Sequence, residues 1–306
     1  MNVLVTGITG FLGARLTPRL QRDGHTVRGL SRLPGHVELG VPVAIGDAVS
    51  GAGLERALEG IDLAYYLIHS MEPVGSSDHS FEDRERLAAE NFALAAQRAG
   101  VRRIVYLGGL VPAAGAASAH LSSRHAVERI LLGAAPCTVA LRASIVIGAR
   151  SRSFRFLVRL VERLPVLAVP AWRSNRTQPI DERDMIALLA RAATAENVCG
   201  QTLDAGGPDV VSYGALIDRI ADHMLLSRPT IGLRRLTMTP IASRVAAAIA
   251  GEEHALIGPL MEGLDRDLLP RDDRAAALLG VRLHSLDAAI EHALREWEMT
   301  EPLAAR

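Results

Sequence analysis

Residues 3–13, VLVTGITGFLG, decide the fold of this chain. Three glycines, Gly7, Gly10 and Gly13, follow a short apolar run and precede a helical pattern. In such a segment the first glycine permits a tight turn, the second lets the backbone approach a diphosphate, and the third lets the helix pack closely on the strand. The free amides of the first helical turn attract phosphate. The segment therefore predicts a strand, a phosphate-binding turn and a helix; the alternative is a glycine-rich turn without a ligand.

The first half of the chain alternates apolar runs with helical patterns. Continuous apolar runs are typical of parallel strands buried on both faces, and strand–helix alternation implies right-handed crossovers. The pattern predicts an α/β fold built on a doubly wound parallel Rossmann sheet. Strands are expected at residues 3–6, 25–30, 41–45, 62–68, 103–107 and 138–147, and helices at 12–21, 53–58, 81–99 and 120–132.

The alternation ends near residue 149, which predicts a second, smaller unit. We expect a Rossmann domain over residues 1–149 with a return segment at 176–207. Residues 150–175 and 208–306 are expected to form a discontinuous, mostly helical lobe over the carboxyl ends of the strands. Phe154, Phe156 and Trp172 could line an apolar pocket in this lobe.

The composition excludes several classes of partner. The 34 basic residues balance 34 acidic ones, and every basic residue is arginine, so neither nucleic acid nor an anionic membrane is expected as a partner. No lysine amine is present for catalysis. The longest nearly apolar run, residues 130–149, is interrupted by Pro136 and Arg142, which argues against a membrane span. Cys137 and Cys199 are predicted to be reduced, buried residues of a cytoplasmic protein.

The end of the second expected strand bears on the choice of cofactor. A dinucleotide site that prefers NAD carries a carboxylate there, which holds the ribose 2′-hydroxyl. This chain has Ser31 and Arg32 instead. A hydroxyl beside a guanidinium suits a 2′-phosphate, which a carboxylate would repel. The pair predicts NADP(H) as cofactor; the alternative is that Arg32 is a solvated loop residue.

The glycine loop and several later segments together resemble the short-chain dehydrogenase/reductase superfamily, in its atypical, NmrA-like branch of NAD(P)-binding proteins. The likeness covers most of the chain. The segments are GDA at 46–48, GID at 60–62, LIHSM at 67–71, AENF at 89–92, AGVRRIVY at 99–106, LRAS at 141–144 and TQPI at 177–180, continuing to Asp184. With the glycine loop and the residues after the second strand, the resemblance implies cofactor contacts at Gly7, Thr9, Gly10, Phe11, Leu12, Gly13, Ser31, Arg32, Asp47, Ala48, Leu67, Ile68, His69, Gly108 and Ala143.

The chain departs from this superfamily where its active members carry their catalytic set. Those members use a serine after the fifth strand and a Tyr-x-x-x-Lys pair on the next helix. Here Gly108 and Gly109 stand at the serine position, and His120 and Arg124 replace the pair. The usual mechanism therefore cannot operate.

Two histidines are candidates for a replacement. With an ordinary pKa of about 6.5, His120 is expected to act as the proton donor, and Arg124, one helical turn later, as an electrostatic anchor. The alternatives are that His120 only starts the helix and that Arg124 is a surface charge or a cofactor ligand. His69 is the second candidate acid, with a purely structural role beside the ribose as its alternative. No metal site is expected, because the histidines lack short-range pairing.

These features predict an NADPH-dependent reductase that acts on an apolar ketone, enone or quinone-like small molecule. Two alternatives remain open: a non-catalytic NADP(H)-binding regulator or assembly factor, and an epimerase or dehydratase. The expected partner is a small-molecule substrate, and the expected state is a monomer or homodimer.

Overall fold

The computed structural model describes residues 1–33, 40–68, 80–111, 119–164, 167–169, 171–227, 230–232, 264, 266–301 and 303. The strands are β1 (Asn2–Thr6), β2 (Thr26–Ser31), β3 (Val43–Ile45), β4 (Leu63–Tyr66), β5 (Arg103–Gly109), β6 (Cys137–Ala143), β7 (Val146–Ile147), β8 (Leu167–Val169), β9 (Arg176–Thr177), β10 (Ile180–Asp181), β11 (Thr202–Ala205), β12 (Val211–Ser212) and β13 (Thr230–Gly232). The helices are α1 (Phe11–Arg22), α2 (Leu54–Leu58), α3 (Phe81–Arg98), α4 (Ala119–Leu132), α5 (Arg152–Arg163), α6 (Glu182–Ala192), α7 (Tyr213–His223), α8 (Arg274–Leu279) and α9 (Leu286–Glu298).

Seven strands form one sheet in the order β11–β6–β5–β4–β1–β2–β3. Every neighbouring pair in it is parallel. Because β1 pairs with β2 on one side and β4 on the other, the winding reverses at β1, and doubly wound sheets bind ligands in the crevice at that point. The predicted doubly wound parallel Rossmann sheet is confirmed.

The two faces of the sheet are covered by different helices. Successive residues of a strand face opposite sides, so Val3 and Val5 pack with α1, α6 and α8, whereas Leu4 packs with α2, α3 and α4. All three side chains are fully buried. The continuous apolar run in β1 therefore follows from burial on both faces.

A third apolar cluster holds the C-terminal lobe together. It joins α5, α7 and α9 through buried residues such as Phe154, Leu216 and Trp297. The expected helical lobe is thus present in the described residues, and the domain boundaries stay a prediction. No helix in the described ranges combines the length and the apolar character that crossing a membrane requires.

The sixth strand is shorter than the sequence predicts. It ends at Ala143, and the apolar residues that follow form the two-residue strand β7, which pairs with β10 outside the main sheet. Ser144 Oγ donates to the carbonyl oxygen of Gln178 at 2.9 Å, and the Ile180 amide donates to the carbonyl oxygen of Ile145 at 3.0 Å. The chain thereby leaves the sheet at Ser144.

The return segment supplies β11, the outer strand of the sheet. Its pairing with β6 brings the two cysteines together, and the prediction that they are reduced is wrong. Because β11 runs parallel to β6, the beginnings of the two strands lie together, and a disulfide joins Cys137 to Cys199 with a Cα–Cα distance of 5.1 Å. The sequence separation of 62 positions hides this proximity in the sequence. Nearby, the Arg142 guanidinium donates twice to the Glu128 carboxylate at 2.7 Å, and Thr202 Oγ1 donates to the same carboxylate at 2.8 Å.

Candidate functional site

One cavity of about 810 Å³ collects the predicted site residues. It begins at the glycine loop, crosses the carboxyl ends of the sheet strands and reaches the C-terminal lobe. His69 lies outside the described residues, and the roles of the others toward a ligand stay predictions. The predicted residues that line the cavity are Gly7, Thr9, Gly10, Phe11, Leu12, Gly13, Ser31, Arg32, Asp47, Ala48, Leu67, Ile68, Gly108, His120, Arg124 and Ala143.

The glycine loop is built so tightly that side chains cannot replace its hydrogens. Gly7 has a φ of +64°, and a Cβ there would lie 2.7 Å from the carbonyl oxygen of Leu67. A Cβ on Gly13 would lie 2.2 Å from the carbonyl oxygen of Gly7. Gly10 precedes α1 without any side-chain cap, and the first turn carries no acidic residue. The first-turn amides and the positive end of the helix dipole can therefore act on an anion in the cavity.

The opposite wall of this end comes from the loops after β2 and β3. Ser31 and Arg32 line the cavity there, as do Asp47 and Ala48. Asn91 on α3 donates to the carbonyl oxygens of Ala48 and Val49, at 3.1 and 2.8 Å. Asn91 therefore fixes the loop that carries Asp47, a contact that sequence reasoning missed because the two residues are far apart in the chain.

Arg124 is paired with groups of the protein itself, which excludes the alternative of a surface charge and leaves its expected role toward a ligand a prediction. Its side chain is buried and donates to Glu85 Oε2 at 3.2 Å, to the carbonyl oxygen of Ile68 at 3.1 Å and to that of Leu107. The guanidinium also lies 5.1 Å from the centre of the Tyr106 ring. It is neither a surface charge nor an uncompensated anchor, because the buried Glu85 carboxylate balances it.

Glu85 is the functional residue that sequence reasoning missed most clearly. It lies on α3 in line with Ala88 and Phe92, at the spacing of one helix face, and all three are buried. A carboxylate within an apolar stripe needs a partner, because burying an unpaired charge is costly. A carboxylate in an apolar stripe could have shown in the sequence that Glu85 has a buried partner. The sequence could not show that the partner is Arg124, 39 positions away.

His120 occupies the predicted place, but its charge state differs from the expectation. Its ring lies 5.7 Å from the ring of Phe81, centre to centre. Burial, helped by the positive charge of Arg124, lowers the pKa of His120 to about 4. At this pKa the ring is neutral near pH 7, whereas the expected acid is an imidazolium, and the catalytic role of His120 stays a prediction. A neutral imidazole can still donate a hydrogen bond through its ring N–H.

The two glycines at the missing serine position also have a local cause. A Cβ on Gly108 would lie 2.8 Å from Cε1 of Tyr106, and one on Gly109 would lie 3.1 Å from Cδ2 of Leu121. A serine at position 108 would therefore displace the buried Tyr106 ring. The position of the Tyr106 ring is therefore incompatible with a side chain at position 108.

The far end of the cavity is lined mainly by apolar residues, with Arg152 and Ser153 of α5 beside them. Leu121, Phe156, Leu157, Leu264 and Leu268 line it. Of the three aromatic residues expected to form an apolar pocket, Phe156 does so, whereas Phe154 and Trp172 are buried in the core of the lobe. This end can hold an apolar molecule next to Gly108 and His120.

Behind the glycine loop lies a set of side chains with the spacing of metal ligands. Donor atoms of Glu182, His292 and Glu296 lie within 4.8 Å of one another. Arg15 Nη2 contacts Glu296 and lies 3.6 Å from Glu182 Oε1. Since the Arg15 guanidinium contacts Glu296 and lies close to Glu182, the group is an ion-pair cluster, and the absence of a metal site stays a prediction.

Comparison with known proteins identifies the family. A model of the NAD dependent epimerase/dehydratase family matches residues 3–195, more than half of the chain. The chain belongs to this family. As an NAD-dependent epimerase/dehydratase family protein, it has the expected Rossmann fold of the short-chain dehydrogenase/reductase type, and a nicotinamide dinucleotide is the cofactor that the family supports. The NmrA-like branch and the preference for NADP(H) stay predictions.

Two curated relatives align with part of this NAD-dependent epimerase/dehydratase family protein. A 3-beta-hydroxysteroid dehydrogenase from Mycolicibacterium neoaurum is 35% identical over 115 residues, which cover 34% of this chain and 31% of that protein. A ceramide reductase from Caulobacter vibrioides is 28% identical over 193 residues, 61% of this chain and 59% of that protein. The alignments therefore span less than two thirds of either relative.

A solved structure matches almost the whole chain. The UDP-glucuronic acid 4-epimerase from Bacillus cereus, in complex with UDP-glucuronic acid and NAD, superposes with a TM-score of 0.72 at 17% identity. The match covers 98% of this chain and 100% of that one. At this identity the likeness concerns the fold.

Proposed function

We propose that this protein is an NADPH-dependent reductase of an apolar ketone, enone or quinone-like small molecule. The observation that carries the proposal is one continuous cavity, which joins a phosphate-binding end at the glycine loop to a mainly apolar end beside Gly108 and His120. A dinucleotide laid from the first end toward the second would meet an apolar substrate there.

The residues divide the binding of the cofactor among them. The first-turn amides of α1 bind the diphosphate, Ser31 and Arg32 bind the 2′-phosphate, and Asp47 contacts the adenine. When bound, NADPH supplies the hydride for the reduction.

At the reacting end, His120 donates a hydrogen bond from its neutral ring to the substrate oxygen, and water supplies the proton that completes the reduction. The ion pair between Arg124 and Glu85 keeps α4, and with it His120, in position. A neutral imidazole is a weak acid, which favours substrates that are already activated, such as enones and quinones. The names of the two curated relatives, a hydroxysteroid dehydrogenase and a ceramide reductase, also favour an apolar substrate.

Calorimetry with NADPH and NADH tests the cofactor assignment. NADPH is expected to bind more tightly than NADH, because only NADPH carries the 2′-phosphate. Arg32→Ala should lower the affinity for NADPH about 10-fold and leave the affinity for NADH unchanged. Equal affinities in the native protein would contradict the assignment.

Turnover is tested with NADPH and a panel of quinones, enones and ketones while the nicotinamide absorbance is followed. A fall in absorbance with any of them supports a reductase. His120→Ala should then slow turnover, and unchanged turnover would remove His120 from the site.

The paired state of Arg124 favours a second candidate, a non-catalytic NADP(H)-binding regulator. Neither Arg124 nor the neutral His120 can supply an imidazolium or lysine-like charge at the reacting end. This candidate is preferred if NADPH binds and no member of the panel is reduced.

A further inference from the structure

The turn that joins β7 to α5 lies at the mouth of the cavity. The Ser151 amide donates to the carbonyl oxygen of Gly148 at 3.0 Å, and the Ser151 side chain caps α5. Ala149 and Ser151 are buried, whereas Arg150 between them is exposed and lines the cavity. The turn therefore fixes the backbone of Arg150 and leaves its side chain facing the open space.

This turn packs directly against the start of α1. A Cβ on Gly148 would lie 2.6 Å from Cζ of Phe11 and 2.1 Å from Oε2 of Glu182. Two residues span at most about 7 Å, and five bonds of an extended arginine side chain reach roughly 6 Å further. The Arg150 guanidinium can therefore reach an anion bound at the first turn of α1, which begins at Phe11.

The charges around this point make a further cation useful. Burial raises the pKa of Glu182, and the positive charges of Arg15 and, more weakly, Arg150 oppose that rise, which places Arg150 within electrostatic range of the same corner. Arg15 already contacts Glu182 and Glu296. The partial charge of a helix start is only about +0.5, whereas a dinucleotide diphosphate carries two negative charges.

Arg150 differs from Arg15 and Arg124 in its interactions with the protein. Among the residues that the structure describes, it makes no hydrogen bond and no ion pair. By contrast, Arg15 is held by two carboxylates and Arg124 by Glu85. An exposed arginine can turn toward an incoming phosphate without first leaving a protein partner.

We propose that Arg150 binds the cofactor diphosphate, from the side of the cavity that faces the first-turn amides of α1. The guanidinium donates charge-assisted hydrogen bonds to the phosphate oxygens. This inference rests on the proposed function, because it requires that a dinucleotide occupies the cavity. It assigns a cofactor-binding residue that lies outside the glycine motif and that serves NADPH and NADH equally, since both carry the diphosphate.

The test is calorimetry on Arg150→Ala with NADPH, NADH, ADP-ribose and adenosine 2′-monophosphate. The first three contain the diphosphate and are expected to bind about 10-fold more weakly than to the native protein. Adenosine 2′-monophosphate lacks the diphosphate, so its affinity should stay unchanged. Arg150→Lys keeps the positive charge and should lose less than Arg150→Ala.

Two other variants act as controls. Arg32→Ala should weaken NADPH and adenosine 2′-monophosphate but not NADH or ADP-ribose, so NADPH is the one ligand of the four that both variants weaken. Arg22→Ala removes one exposed positive charge at the far end of α1 and should change none of the four affinities. Thermal unfolding without ligand should be nearly the same for Arg150→Ala and the native protein, because the Arg150 side chain makes no hydrogen bond and no ion pair with any described residue.

The possible failures are distinguishable. If the native protein binds the dinucleotides and Arg150→Ala binds all four ligands with native affinity, the role of Arg150 is wrong and the proposed function stands. Equal weakening of all four ligands would also overturn the diphosphate assignment. If the native protein binds neither NADPH nor NADH, the proposed function fails and the inference fails with it.

Discussion

The two ends of the cavity use different parts of the chain. At the glycine loop the cavity wall is formed by the backbone. Gly7 and Gly13 are required there because neighbouring carbonyl oxygens occupy the space of a side chain. At the α4 end side chains decide, and Arg124 and His120 take their properties from Glu85 and from burial. A site made of backbone is encoded locally, whereas a site made of buried side chains depends on residues far away in the sequence.

The largest expected effect is at the α4 end. Glu85→Gln keeps the shape of the side chain and leaves the buried Arg124 charge without its partner, which should lower the free energy of unfolding by about 3–5 kcal/mol. Urea denaturation measures this change.

Two further variants control for position and for charge. Glu90→Gln lies on the exposed side of the same helix and should cost less than about 1 kcal/mol, because surface ion pairs contribute little. The double variant Glu85→Leu with Arg124→Met should recover part of the loss, since both charges are then removed while the carbonyl oxygens of Ile68 and Leu107 lose a donor. If Glu85→Gln costs no more than Glu90→Gln, the α4 end does not depend on the buried pair.

The next effect tests the backbone end. Gly13→Ala places a methyl group against the Gly7 carbonyl, and neither main chain can move far, so we expect a loss of about 3 kcal/mol in the free energy of unfolding and loss of NADPH binding. Gly133→Ala is the matched control, because nothing lies within 4 Å of its added Cβ. An alanine at position 13 with native stability and affinity would mean that the loop does not bind as described.

The smallest effect concerns acid stability at the α4 end. The folded-state pKa of His120, about 4, lies below its unfolded value of 6.5, so the unfolded chain binds more protons between these values. The contribution is fully present above about pH 6.5 and is lost as the pH falls toward 4. Allowing for the partial solvent exposure of the ring, it amounts to roughly 2 kcal/mol.

Urea denaturation from pH 4 to pH 7 detects this loss. His120→Gln should flatten the pH dependence by the same amount, because the variant has no ionisable group at that position. Identical pH profiles for the two proteins would show that His120 is not held neutral by the fold.

The fold and the tight turn of the glycine loop could be predicted because their signals are local. The run through β1, the glycines and the start of α1 lies within residues 2–13, and each feature constrains its neighbour in the chain. The end of β6 was misplaced, because Val146 and Ile147 are as apolar as the strand before them and pair with β10 instead.

The side-chain pairings could not be predicted, because they join distant segments. Cys137 and Cys199 meet only because β11 returns beside β6, and Arg124 meets Glu85 only because α3 packs on α4. The pKa of His120 follows from that packing, so an ordinary value for histidine was the wrong starting point.

The position of β11 has a consequence for biosynthesis. As the ribosome delivers the chain, β6 emerges well before the segment that will cover its outer border, and an uncovered strand border invites pairing with other chains. During the same interval Glu128 lacks its hydrogen bond from Thr202, and Arg142 lacks its ion pair with Asp204. The outer border of β6 therefore stays uncovered in the nascent protein while residues 144–201 are being translated.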